Sequence, residues 1–319
     1  MNRFGRLPVS LPLLRRLALA SVVANVIIVV TGGAVRLTGS GLGCPTWPRC
    51  TDESYTTTSE MGIHGVIEFG NRTLTGAVGF IALAGLLAAL TYRPRRRSLV
   101  LLAGSVLLGV AAQAVIGGIT VRMQLHPGVV GIHFVVSMLL LLSTYAFWRR
   151  VDEGDAPARL TVPRPIRTLA WFTTAVSGAV IVVGVLVTGS GPHAGDEDAA
   201  RNGLDPLAIS QFHADLVFLL VGLTVGLLLA LRAANAPAVA VRAAVVLLVV
   251  ELSQGLIGLV QYLTHLPALL VGAHMLGACL VWLATLSVLW ATRVRQPAAP
   301  ATVADQVAAS TTPAPALSR

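Results

Sequence analysis

The chain of 319 residues contains no lysine: all 23 of its basic residues are arginine, and charged residues of both signs make up only 12% of the sequence. A water-soluble domain typically carries about a quarter of its residues as charges, so this scarcity excludes the ordinary soluble class. Cysteine is scarce too, three in all, which is too few for a four-thiolate metal site. The segment after the first apolar run lacks a clear small-residue cleavage site, so the basic start followed by a run of spanning length reads as a retained span and not as a removable signal.

What the chain does have is apolar length. Hydrophobic residues make up 55%, the mean hydropathy is +0.78, and runs near the roughly 20 residues that cross a bilayer recur at about 17–35, 65–90, 98–119, 129–148, 168–188, 208–231, 241–262 and 268–291. The expected class is an all-α polytopic membrane protein with eight transmembrane helices. The second span carries Glu68, Asn71 and Arg72, which leaves its outer boundary the least defined.

Arginine placement sets the orientation. Arg3, Arg6, Arg15 and Arg16 precede span 1; Arg93 and Arg95 to Arg97 follow span 2; Arg149, Arg150, Arg159, Arg164 and Arg167 separate spans 4 and 5. Arg232, Arg242, Arg293 and Arg295 continue that side, whereas the opposite loops hold only Arg36, Arg49, Arg122 and Arg201. The positive-inside rule then puts both termini in the cytoplasm. The net charge of +9 is thereby a topology signal and no argument for nucleic-acid binding. Cys44 and Cys50 fall in the loop after span 1, on the extracytoplasmic side, where an oxidising compartment and a short Pro/Gly loop favour a disulfide over free thiols or an incomplete metal pair. Cys279 reads as a small packing residue. Residues from about 296 to 319, rich in Ala, Pro and Thr, read as a disordered cytoplasmic tail.

The halves repeat. Gln113-Ala114-Val115-Ile116-Gly117 matches Gln254-Gly255-Leu256-Ile257-Gly258, and Gly131-Ile132-His133 matches Gly272-Ala273-His274; 254 less 113 and 274 less 133 both give 141. Val30-Thr31-Gly32 likewise matches Val187-Thr188-Gly189. The expected organisation is a cytoplasmic N-terminus at 1–16, a four-helix bundle over 17–150, a cytoplasmic linker at 151–167, a second four-helix bundle over 168–295 and the tail at 296–319, both bundles in the same orientation. From His213 to Gln254 is 41 residues and from Asn71 to Gln113 is 42, so Asn71 is the positional counterpart of His213, with His64 two turns outward.

His133, His213 and His274 each follow a proline by six or seven residues, which places the three rings at one depth, about 10 Å inside their helix ends. Two imidazoles meeting across a bundle suit axial ligation of heme iron. The alternatives for a lone intramembrane histidine are a bond to a carbonyl or a place on a proton path; three at matched depth favour ligation. His193 and His265, in outer loops, are expected to be solvated, and His126 to serve the loop before Pro127. Glu68 stands one turn outward of Asn71 on the same face. It either pairs with Arg72 at i+4 or handles protons or charge beside the first-half pocket, and Arg72 has a second candidate role in neutralising a heme propionate.

These residues resemble the heme A synthase family. The resemblance rests on Thr31-Gly32-Gly33-Ala34-Val35-Arg36-Leu37-Thr38-Gly39-Ser40-Gly41-Leu42-Gly43-Cys44-Pro45, then Glu68-Phe69-Gly70-Asn71-Arg72, Gly131-Ile132-His133 and Gly272-Ala273-His274, and covers the chain to about residue 295. It implies an oxidoreductase that turns a ring methyl of heme O into the formyl of heme A by successive oxygenations, for use in terminal oxidases, with the oxygen source, dioxygen or water, left open. It implies heme b on His213 and His274 and substrate heme beside His133, and it maps the acidic residue of the family's Glu-x-x-His-Arg motif onto Glu68 and its outer-loop cysteine pair onto Cys44 and Cys50. The chain departs from that motif at Asn71, where many members have histidine. Either His64 serves instead with a shifted heme, or the substrate iron is five-coordinate on His133 with Asn71 on the open face; the second is favoured because it leaves a position for oxygen. The implied partners are heme O, a membrane electron donor of unread identity and, as a candidate, the enzyme that makes heme O. The rival readings are a diheme b-type electron-transfer protein, a transporter with broken helices and an oxidase assembly factor.

Overall fold

The computed structural model describes residues 9–193, 195–196 and 198–295; the tail at 296–319 and the first eight residues lie outside them. Eight helices carry the fold: α1 Leu11–Leu37, α2 Gly62–Thr91, α3 Arg97–Arg122, α4 Pro127–Val151, α5 Arg164–Ser190, α6 Pro206–Ala233, α7 Ala238–Leu263 and α8 Ala268–Ala291. All eight are long and apolar enough to cross a membrane, as hydropathy predicts, and most extend several residues past the apolar runs. Proline in the first turn of α1, α4, α5 and α6 suits this, because a helix start has no use for the missing N–H. The Asp205 carboxylate caps α6 by accepting from the Leu207 N–H at 2.8 Å.

Within each half, consecutive helices pack in a closed ring, α1 with α2 and α4, α3 with α2 and α4, and likewise α5 to α8. The halves meet along α1, α4, α5 and α8. The duplication is visible in the backbone: Gln124 and Leu125 between α3 and α4 adopt positive φ of 49° and 56°, and His265 and Leu266, 141 residues on, adopt 63° and 61°. Such values are costly for non-glycine residues. Both turns keep them because Leu125 donates to the Thr120 carbonyl and Leu266 to the Gln261 carbonyl, closing the helix end in the same way.

Each bundle is solid toward the end that carries the chain termini. One apolar cluster joins Leu14, Ala82, Ala103 and Phe147 in the first half, and another joins Leu227, Ala244, Leu247 and Val288 in the second. A third cluster forms the seam, with Val22, Met138, Leu141 and Tyr145 facing Ile181, Cys279, Trp282 and Leu286. The Trp282 indole N–H donates to the Met138 carbonyl across it at 3.0 Å. Cys279 is buried there, in keeping with a packing role. Large side chains such as Phe80, Leu108 and Leu269 stay exposed, which lipid tolerates and water does not.

The segment between the bundles is more ordered than a linker. Arg159–Leu160 pairs antiparallel with Arg293–Val294 after α8. Arg96, buried, donates to the Val151 and Arg150 carbonyls at the end of α4, and Arg150 pairs with Glu153 and Asp155. These buried helix-end carbonyls need donors, and the arginines supply them, so the cluster is structural as well as a charge signal.

On α1, Gly33 touches α8 so closely that a Cβ would lie 2.6 Å from the Met275 sulfur. The flexible end of Met275 can yield to a lone Cβ, but the full side chain in Gly33→Leu is expected to overpack the seam, at a cost of about 1–3 kcal/mol. Faster alkylation of the buried Cys279 thiol in detergent, at unchanged helix content, is the readout.

Candidate functional site

Toward the end opposite the termini both bundles are hollow. One cavity of about 1220 Å³ runs through both halves and is lined by Asn71 and His133 from the first and His213 and His274 from the second. A pocket for one drug-sized ligand is about 300–1,000 Å³, so this one lies above the ordinary single-ligand range. The sequence placed these four side chains at one depth, and the fold brings them to one space.

The histidines are held by a repeated device. Gln113 on α3 donates to the His133 carbonyl at 3.0 Å, and Gln254 on α7 to the His274 carbonyl at 2.7 Å. Gln113 also bonds the Ser137 hydroxyl. Each ring lies flush on a glycine of the preceding helix: a Cβ on Gly117 would meet the His133 ring at 3.4 Å, and one on Gly258 the His274 ring at 3.1 Å. His213 packs in the same manner on Gly184, at 3.1 Å. The glutamines marked the repeat in the sequence, but their role needed the fold, since each bond crosses between helices.

The Nδ1 atoms of His133, His213 and His274 are buried without a hydrogen-bond partner among the described residues. Buried polar atoms of that kind call for an explanation. Among the described residues no three His, Cys, Asp or Glu side chains converge as an all-protein metal site would require. Iron would therefore have to arrive with donors of its own, as in a macrocycle held by one or two imidazoles. Paired histidines facing a large, mostly apolar cavity fit that group. Asn71 sits where the fourth histidine would be, its Oδ1 accepting from the Thr31 hydroxyl at 2.8 Å.

Glu68 and Arg72 form the outer wall of the first half. The Glu68 carboxylate is 5% exposed; its Oε2 accepts from the Cys44 N–H at 2.6 Å, and its Oε1 accepts from Arg72 Nε at 3.1 Å and Nη2 at 2.5 Å. Arg72 Nη1 donates to the Thr46 and Arg49 carbonyls at 2.9 and 3.1 Å, and Nη2 also to the Cys44 carbonyl at 2.9 Å. A guanidinium has five N–H groups and a carboxylate about four acceptor sites. All five Arg72 donors are thus taken by the pair and the loop, whereas Glu68 keeps one acceptor site beside the cavity. The pair also clamps the loop closed by the Cys44–Cys50 disulfide, and that loop lays Trp47 over Gly118 and into the cavity wall.

Three further histidines lie outside the cavity lining, and of these His193 departs from its expected solvation. His64 is exposed, bonds the Ser40 hydroxyl at 2.9 Å and is not among the residues lining the cavity, because two turns on α2 carry it above the cavity. His193 is not solvated: its Nε2 meets the Leu266 carbonyl at 2.8 Å, and its carbonyl accepts from Arg36, which also donates to the Thr188 carbonyl. Arg36 thereby straps α1 to the second bundle. His126 caps α4, accepting from the Gly128 N–H at 3.3 Å.

Sequence reasoning passed over Glu251 on α7, which lines the cavity and accepts from the Thr224 hydroxyl at 2.9 Å. The signal was present, a carboxylate inside an apolar span.

A family profile described as COX15-CtaA, cytochrome oxidase assembly protein, matches residues 15–286. Curated relatives named "Heme A synthase" include one from Bacillus cereus (strain AH187), 28% identical over 170 residues that make up 51% of this chain and 53% of the relative. One from Exiguobacterium sibiricum is 28% identical over 166 residues, 50% of this chain and 54% of the relative. The chain spans about half the length of the curated relatives it matches.

Proposed function

The chain belongs to the COX15-CtaA family of cytochrome oxidase assembly proteins, and from that premise we propose that it is a heme A synthase, oxidising a ring methyl of heme O to the formyl group of heme A. The observation that carries the reading is the single cavity, with imidazoles at repeat-related positions and one of the four replaced by an amide. The asymmetry suits two different tasks, a closed two-ligand site in the second half and a site with an open face in the first.

In this reading His213 and His274 hold heme b, which when bound supplies one-electron redox chemistry, and Gln254 and Gly258 fix the His274 ring. His133, positioned by Gln113, holds the substrate heme from α4. Asn71 faces it from α2; an amide is a weak iron ligand, so that face stays available to oxygen or water. The remaining acceptor site of Glu68 takes a proton or steadies positive charge at the outer edge of the substrate, while Arg72 positions Glu68. Trp47, set over Gly118 by the disulfide loop, keeps water from the first half. The arginine-rich end faces the cytoplasm, and the disulfide lies on the oxidising side.

The test is to express the chain in membranes supplied with heme O and to separate the extracted hemes with mass detection, beside His133→Ala. Heme A or its hydroxylated precursor is expected with the intact chain and not with the variant, which retains the second-half heme spectrum. Folded, reducible protein that returns heme b and unchanged heme O would instead favour a diheme electron-transfer protein.

A further inference from the structure

Glu251 is the buried carboxylate that the proposed chemistry does not use. It is 3% exposed and lies twelve residues from the α7 end at Leu263, about 18 Å along the helix and so near mid-membrane. Its Oε1 accepts from Thr224, but its Oε2 is buried with no partner among the described residues. The Thr224 partner stands eleven residues along α6 from His213, about 16 Å below it, so the pair marks the floor of the second-half cavity and lies away from the imidazoles. The first half has no such pair. At the repeat offset of 141, Glu251 corresponds to Val110, and at the offset of 142 that relates His213 to Asn71, Thr224 corresponds to Ala82; both are buried and apolar.

The wall beside this floor is apolar and loosely covered. Phe218 on α6 and Leu252 and Leu256 on α7 line the cavity and are 75%, 56% and 63% exposed. Gly255 lines it between them with open space at its Cβ. A ligand reaching Glu251 by this route comes from the lipid, passes an apolar, partly aromatic slot, and offers a hydrogen-bond donor to a buried carboxylate oxygen that no described side chain or backbone group serves.

We propose that the Glu251–Thr224 floor, reached between α6 and α7, is a binding subsite for the ring hydroxyl of a membrane-soluble hydroquinone. A flat ring suits the slot, and the hydroxyl donates to Glu251 Oε2. Delivery of reducing equivalents would oxidise the hydroquinone to the quinone, its two electrons passing singly to the second-half heme and its two ring protons leaving in turn through Glu251; that step rests on the proposed function, and the binding itself does not.

The chain in lipid nanodiscs is photolabelled with an azido-hydroquinone and the adducts mapped by mass spectrometry, with no heme required. Labelling is expected to concentrate on α6 and α7 within 214–263, to be competed by duroquinol and not by farnesol, and to fall at least tenfold in both Glu251→Gln and Gly255→Phe. Gly255→Phe fills open space and leaves the carboxylate intact, so it tests the slot independently of any folding effect at Glu251. Labelling spread evenly around the lipid face, equal competition by farnesol, or adducts unchanged in both variants would overturn the assignment. In heme-loaded protein, reduction by duroquinol is expected to slow at least tenfold in both variants while reduction by dithionite is unchanged. Failure to load heme on His213 and His274 would count against the proposed function and leave the labelling result standing.

Discussion

Glu68→Ala is expected to cut conversion of heme O by about 100- to 10,000-fold, the range for loss of a positioned acid or base, and to destabilise the outer loop as well. The second effect follows from geometry. Removing the carboxylate strips Arg72 of two of its bonds and leaves the Cys44 N–H without an acceptor, and breaking a buried ion pair by deleting one partner costs about 3–5 kcal/mol. Glu68→Gln separates the two effects, since an amide oxygen can still accept from Cys44 while the charge and the basic site are gone. Heme product and thermal denaturation are measured on both variants. A chemical role predicts a glutamine variant that melts between the alanine variant and the parent, because it keeps the Cys44 bond but not the ion pair, yet makes no heme A; a clamp alone predicts that activity follows stability across both variants.

His213→Ala and His274→Ala are each expected to abolish the spectrum of a six-coordinate heme in the second half, lowering bound heme b at least tenfold in purified protein. The loss exceeds what ordinary packing would give, because in the proposed function both imidazoles would hold the group and either variant would leave one. Gln254→Leu should act in the same direction and more weakly, since it removes only the bond that holds the His274 carbonyl; a positioning role predicts an altered spectrum at retained heme. Optical spectra of reduced protein and extracted-heme quantitation decide the matter. Full heme b content in both histidine variants would remove the second-half assignment and leave the first-half chemistry to be argued on its own.

Much of this protein was legible without its fold, for a definite reason. Spanning length is a local property of about 20 residues, so hydropathy found all eight helices, although their ends ran past the apolar runs because polar residues can continue a helix beyond the hydrocarbon. The fixed offset between Gln113 and Gln254 and between His133 and His274 exposed the duplication, and the spacing from Gln113 singled out Asn71 as the odd member of the four. The Cys44–Cys50 bond followed from a short Pro/Gly loop expected on the oxidising side, and the Glu68–Arg72 pair from i+4 spacing.

Tertiary structure decided what depends on which face of a span looks inward. In lipid both faces of a helix can be apolar, so hydropathy does not separate the cavity side of α7 from its outer side. Only packing showed that Gln113 and Gln254 reach across to hold the histidine backbones, and that five carbonyl and carboxylate contacts use up the donors of Arg72 while Glu68 keeps an acceptor site. The solid end and the hollow end of each bundle, the seam through Trp282 and the strap of Arg36 onto the second half arise from contacts between residues more than a hundred positions apart. Glu251 belongs to the same class: its charge was plain in the sequence, but its solitary oxygen at the cavity floor exists only because α6 offers it Thr224 and nothing more.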